Sequence, residues 1–106
     1  MKILAILAAL FLSIGYGHAQ TYEKFVEKSF DFLDKNDLVS AEESLRAAMR
    51  LEPGNPNNYA LLMNLGTIQR RQGKLEDALL SYTAALSRHP NNEAILENRA
   101  GLYTEM

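Results

Sequence analysis

The chain has 106 residues, is 47% hydrophobic and 23% charged, carries a formal net charge of −2 and contains no cysteine. That length suits one domain, and the cysteine count excludes a disulfide framework, a thiolate metal site, a cysteine nucleophile and a lipid anchor on an N-terminal cysteine. The mildly acidic balance excludes the basic footprint of a nucleic-acid binder and offers no attraction to anionic lipid.

Met1 and Lys2 make a short basic start, and Ile3 to Ile14 is an apolar run interrupted only by Ser13. Residues 15–19 then place small side chains at Gly17 and Ala19. This is the layout of a secretory signal peptide. Residues 1–19 are expected to be removed, leaving a mature chain of residues 20–106 that begins at Gln20. The alternative, an uncleaved anchor, needs about 20 apolar residues to cross the hydrocarbon, and this run is shorter. A secreted or periplasmic protein with no membrane span after cleavage is expected, and its stability must come from packing alone.

From residue 22 onward the hydrophobic period is helical. Tyr22, Phe25, Val26, Ser29, Phe32 and Leu33 form the first stripe; Leu38, Ala41, Leu45, Ala48 and Met49 the second; Leu62, Leu65, Gly66 and Ile68 the third. Ala78, Leu79, Tyr82, Ala85 and Leu86 make the fourth, and Ile95, Leu96, Ala100 and Tyr103 the fifth. Asn36 and Gly73 stand where a left-handed residue ends a helix. Pro53 and Pro90 close the second and fourth helices, while Asn57-Asn58 and Asn91-Asn92 offer N-cap oxygens to the helices that follow. Helices are predicted near 22–35, 38–51, 58–72, 75–88 and 92–105, with no strand.

The same order of events recurs. Ser29 and Gly66, Ala41 and Ala78, and Pro53 and Pro90 are each separated by the same interval, and Tyr59 to Asn92 makes one complete unit. Repetition at this period signals stacked supersecondary units. Units are read at approximately 22–55, 59–92 and an incomplete 93–106. Two antiparallel helices approach closely only where side chains are small. Ser29, Gly66 and Ala100 are expected to provide that on the first helices, and Ala41, Ala48, Ala78 and Ala85 on the second.

The second unit resembles the tetratricopeptide repeat, whose pattern is Trp-x2-Leu-Gly-x2-Tyr, then Ala-x3-Phe, then Pro. Here it reads Leu62, Leu65-Gly66 and Gln69, then Ala78 and Tyr82, then Pro90. The first unit matches more loosely through Phe25, Ser29, Phe32, Ala41, Leu45, Ala48 and Pro53, and the third through Leu96, Ala100 and Tyr103. The resemblance implies an all-α solenoid of antiparallel helix pairs. Gln69 stands where the family has a large aromatic, so either a neighbour fills the gap or Gln69 faces the groove. The apolar Ile95, Leu96, Leu102 and Tyr103 are unlike the polar outer face of a capping helix. They favour part of a longer array over a domain of two and a half repeats capped by the fifth helix.

The residues supply little catalytic chemistry. His18 falls in the segment expected to be cleaved, and His89 is a lone turn residue, so no transition-metal site is expected. A calcium loop starting at Asp34 fails, because Leu38 would be a ligand and Val39 the turn glycine. Glu42-Glu43 and Glu76-Asp77 are adjacent on helices and point apart; Asp37, Glu42 and Glu43 read as charges favoured near a helix N-terminus. With no base for the serines and no phosphate loop, a non-enzymatic protein without metal or cofactor is expected.

The resemblance further implies a concave groove, lined by the first helix of each repeat, that takes a peptide or protein segment. Its lining would be Val26, Phe30 and Leu33, then Met63, Asn64, Thr67 and Arg70, then Glu97, Asn98 and Gly101. Arg70 could receive a carboxylate through paired hydrogen bonds, or with Arg71 could be a solvated pair favoured by the helix dipole. The cations of the chaperone-tail clamp known in the family are missing from the corresponding positions. The partner is expected to be protein; the alternative is an accessory N-terminal region of a larger enzyme or envelope transport or assembly component.

Overall fold

A computed structural model describes residues 20–106; the expected signal peptide lies outside the described residues. Five helices follow one another: α1 (Tyr22–Asp34), α2 (Leu38–Leu51), α3 (Asn58–Arg71), α4 (Leu75–Arg88) and α5 (Glu93–Tyr103). Each boundary lies within two residues of its prediction, because capping and breaking residues act locally. The Thr21 hydroxyl accepts from the Lys24 N–H, Asp37 from Ser40 and Asn92 from Ile95, all at 3.1 Å. These bonds satisfy donors that the first turn leaves unpaired.

The α1–α2 and α3–α4 turns are built alike. Asn36 has φ 57° and Gly73 φ 78°. Each lets the next N–H fold back, from Asp37 to the Phe32 carbonyl at 2.8 Å and from Lys74 to the Gln69 carbonyl at 2.9 Å. This six-to-one closure is the Schellman motif, and it reverses the chain tightly enough to lay each second helix antiparallel on the first. The Asn57-Asn58 reading needs correction. Asn57 makes no side-chain cap bond, and Asn58 is buried. Its amide donates to the Glu52 carbonyl and its Oδ1 accepts from the Tyr22 hydroxyl, both at 2.8 Å. Asn58 therefore ties α1 to the inter-repeat loop.

The core forms two connected clusters. Tyr22, Ala41, Leu45, Ala48, Leu61, Leu65 and Ile68 make the first, and Ala78, Tyr82, Ala85, Leu86, Ile95 and Leu102 the second. Leu62 packs against both. Ala41, Ala48, Ala78 and Ala85 are fully buried, so their small size is what the helix crossings demand. Gly66 makes the same point at one atom: a Cβ there would stand 2.8 Å from the Tyr82 ring. Tyr82 contributes about 1.5–3 kcal/mol by burial, and it lies flat on α3 only because no side chain intervenes.

Ala100 departs from its expected role: it is exposed. The fifth helix turns Ile95 and Leu102 onto α4 and leaves Leu96 and Tyr103 outward. The reason is the order of packing. A first helix has one face for the preceding repeat and another for its own partner, and among the described residues only the former is covered on α5.

Enlarging Ala78 to Leu or Gly66 to Ala is expected to overpack the α3–α4 crossing and cost about 1–3 kcal/mol. Chemical denaturation followed by circular dichroism checks this, and unchanged midpoints would contradict the crossing described.

Candidate functional site

The first helices of the units, α1, α3 and α5, carry the predicted groove residues, and the structure brings only some of them together. Val26 lines a shallow cleft of about 310 Å³ between α1 and α3 with Tyr22, Glu23, Glu27, Asn57 and Leu61. Leu33, half-buried, packs with Val26 against the first core cluster, and Met63 against the second. Phe30 is 49% exposed and Glu97 is exposed, whereas Asn64 and Asn98 are half-buried. Thr67 is engaged within the fold: its hydroxyl reaches the Met63 carbonyl at 3.2 Å and the Tyr82 hydroxyl at 2.8 Å.

Arg70 and Gly101 meet directly. A Cβ on Gly101 would lie 3.3 Å from both terminal guanidinium nitrogens, so the guanidinium lies against the α5 backbone where a larger residue would press on it. A glycine inside a helix costs about 0.5–1 kcal/mol, and this close approach offsets that cost with a contact between repeats. Arg70 Nε donates to Glu105 Oε1 at 2.8 Å, and Nη2 lies 2.5 Å from the same oxygen. The hydrogen bond to Glu105 raises the Arg70 pKa, and that same bond lowers the Glu105 carboxyl. Arg71 points elsewhere and donates to Asn36 Oδ1 in the α1–α2 turn at 2.9 Å. Arg70 and Arg71 are thus not a free pair.

Gln69, left open between two orientations by the sequence, turns away from the groove. It is 2% exposed. With its amide nitrogen towards α4, it donates to the Asp77 carbonyl at 3.1 Å and contacts the Ser81 hydroxyl, while its oxygen accepts from Arg46 at 3.1 Å. Where the family places an aromatic, this chain places a buried polar link from α3 to α2 and α4.

Glu42 is a further correction. It is a buried carboxylate held by half-exposed Arg46 and Lys74 rather than a free charge near a helix N-terminus. Its carboxylate accepts from Arg46 at 2.9 Å, from Gln72 at 2.9 Å and from Lys74 at 3.2 Å. Gln72 and Lys74 come from the α3–α4 turn, so the carboxylate fastens one repeat to the next. Burial by itself would raise its pKa, but hydrogen bonds from Gln72, Arg46 and Lys74 outweigh that and lower it to about 2. Sequence reasoning missed this because Glu42 and Lys74 are far apart in the chain and Glu43 beside it looks identical. The helical register is the one available signal, since it puts Glu42 on the stripe between Leu38 and the buried Leu45.

His89 stays a turn residue, its ring 3.9 Å from that of Tyr59. Among the described residues no group of three or more His, Cys, Asp or Glu could hold a metal ion, and no described helix is long and apolar enough to cross a membrane.

Because the folded-state pKa of Glu42 is lowered, its stabilisation is fully present above the ordinary carboxylate value and is lost as pH falls through the folded one. Glu42→Gln is expected to cost about 1–3 kcal/mol at neutral pH. The gap from the parent should narrow as pH falls from 4.5 towards about 2, as measured by denaturant titration at each pH.

The tetratricopeptide repeat family's sequence model matches residues 59–92, which hold α3, its turn and α4. A solved structure of a tetratricopeptide repeat protein from Parabacteroides merdae ATCC 43184 is 74% identical, superposes with a TM-score of 0.79, and is covered over 34% of its length by 82% of this chain. The human protein O-mannosyl-transferase TMTC1 is 36% identical over 80 residues, which are 76% of this chain and 9% of that protein. Photosystem I assembly protein Ycf3 of Synechococcus sp. (strain CC9605) is 25% identical over 104 residues, 96% of this chain and 60% of that one. The chain therefore spans less than two thirds of each of these relatives. Repeats of this kind mediate protein–protein interaction, so the partners implied are proteins. With two antiparallel helix pairs and a fifth helix stacked on them, a repeat matched in full and a solved relative of the same fold, the chain belongs to the tetratricopeptide repeat family.

Proposed function

We propose that this protein is an exported, non-enzymatic scaffold that holds a segment of another protein in the groove formed by α1, α3 and α5. The observation carrying this is the apolar cleft that the first helices line, together with Phe30 beyond it. Around the α2–α3–α4 junction Glu42 is satisfied by Arg46, Gln72 and Lys74, and Gln69 by Arg46, Asp77 and Ser81. The face of the first helices keeps Phe30 half-exposed, an apolar cleft beside Val26 and Leu61, and half-buried Asn64 and Asn98. Exposed apolar surface beside ordered polar groups is the composition of a recognition site. Export rests on the order of basic start, apolar run and small residues in 1–19.

A second reading draws on the relatives, one named as a transferase and one as an assembly protein, both longer than the stretch matched here. In it, the repeats are the interaction part of a larger enzyme or assembly component. The intact mass of the protein isolated from its source separates the two readings.

Substituting Met63, Arg70 and Asn98 together by alanine is expected to abolish capture of the native partner in a pull-down while the circular dichroism spectrum stays helical. Undiminished capture would place the site elsewhere. Export is checked by N-terminal sequencing of the protein outside the cytoplasm, where Gln20 is expected as the first residue; an intact Met1 there would rule out the processing.

A further inference from the structure

The groove's cation is already paired with a carboxylate, and the way it is paired identifies a ligand chemistry. Arg70 stands in the last turn of α3, its side chain 26% exposed, and Glu105 follows the end of α5 in a turn with its side chain 44% exposed. Both contacts, from Nε and from Nη2, go to one oxygen, Oε1, so the planar fork is not used for the bidentate pairing of which it is capable. Gly101 leaves the guanidinium free to lie against the backbone, and Thr67, one turn before Arg70, is held by the Tyr82 hydroxyl of α4. The charges are divided along the groove. Glu23 and Glu27 flank the apolar cleft near the start of α1, Glu97 lies on α5, and Arg70 stands at the opposite end of α3, with Arg71 committed to Asn36.

Resting on the groove reading above, we infer that Arg70 is a receptor for a side-chain carboxylate on an acidic segment of a partner protein, and that Glu105 is a built-in competitor occupying it until that segment arrives. The partner's carboxylate would take both edges of the fork, which Glu105 does not. An apolar residue of the same segment would lie in the cleft beside Val26 and Leu61. An ion pair open to solvent on the Glu105 side is weak enough to exchange, and a site blocked for part of the time binds with its affinity reduced by the open fraction. The contact thus lowers the affinity for an acidic segment by the blocked fraction and leaves neutral segments, which do not use Arg70, unaffected.

The test uses the whole chain and a blocked peptide alternating leucine with glutamate, beside its leucine–glutamine counterpart, both titrated by fluorescence anisotropy. The parent is expected to prefer the glutamate peptide, and Glu105→Gln to strengthen binding of that peptide by about two- to six-fold without changing the glutamine peptide. Arg70→Gln should erase both the preference and the gain. Arg70→Lys, which keeps the charge but not the fork, should lose most of the preference; circular dichroism verifies that each variant is folded. If Glu105→Gln binds the glutamate peptide no better than the parent, Glu105 is only a strut and the competitor is overturned. If the two peptides bind equally to every variant, the carboxylate receptor is overturned while the groove stands. If neither peptide binds, the groove reading fails with it. Self-association of Glu105→Gln in sedimentation at the same concentrations would assign the carboxylate to a second copy, and would also overturn the proposal.

Discussion

Two helices can lie against each other only as closely as the side chains between them allow, and in this chain that distance is set by residues that have almost no side chain. Ala41, Ala48, Ala78 and Ala85 are fully buried on the second helices, and at Gly66 even one carbon would collide with the Tyr82 ring. Close approach lets Leu45 and Tyr82 reach across and bury themselves, which supplies the apolar stabilisation. It also fixes where the opposite faces of α1, α3 and α5 point, so the groove is a consequence of the crossing. Thr67 shows the coupling: it lies on the predicted groove face, yet it is bonded to the hydroxyl of the core residue Tyr82.

Polar groups divide the work between the two sides. Where α2 meets α3 and α4, Glu42 gathers Arg46, Gln72 and Lys74, and Gln69 reaches Arg46, Asp77 and Ser81. Breaking such a cluster strands a buried partner, which makes it demanding of register. It therefore fixes how one repeat sits on the next, a task the apolar contacts perform less specifically because they are non-directional. On the groove side the Arg70–Glu105 pair is partly exposed, while Thr67 is tied to the buried Tyr82. A stacked architecture needs both, since repeats that touch only their neighbours depend on each interface separately.

Helix number, boundaries and pairing were legible in the sequence because their causes are local. Thr21, Asp37 and Asn92 cap within three residues, Asn36 and Gly73 turn the chain by their own backbone freedom, and the spacing of alanines marks the crossings. The groove was legible only as a face. Helical period and family resemblance pointed to Val26, Arg70 and Gly101 without showing that Arg70 touches Gly101, or that Leu61, Glu23 and Glu27 complete the cleft beside Val26.

What the sequence determined by itself is the set of rods and the order in which they fold back, because propensity, capping and hydrophobic period act over a few residues. Tertiary structure alone decided which polar groups meet. Glu42 and Glu43 are equivalent as letters, yet one is buried in an ion cluster and the other is exposed. Asn58 and Gln69 turn inward although both types usually face water, and Ala100 is left outside although it matches the buried pattern. Each outcome depends on a partner from another helix or turn, or on the absence of one among the described residues. The energy of a buried polar group is set by that partner and not by its own sequence neighbourhood.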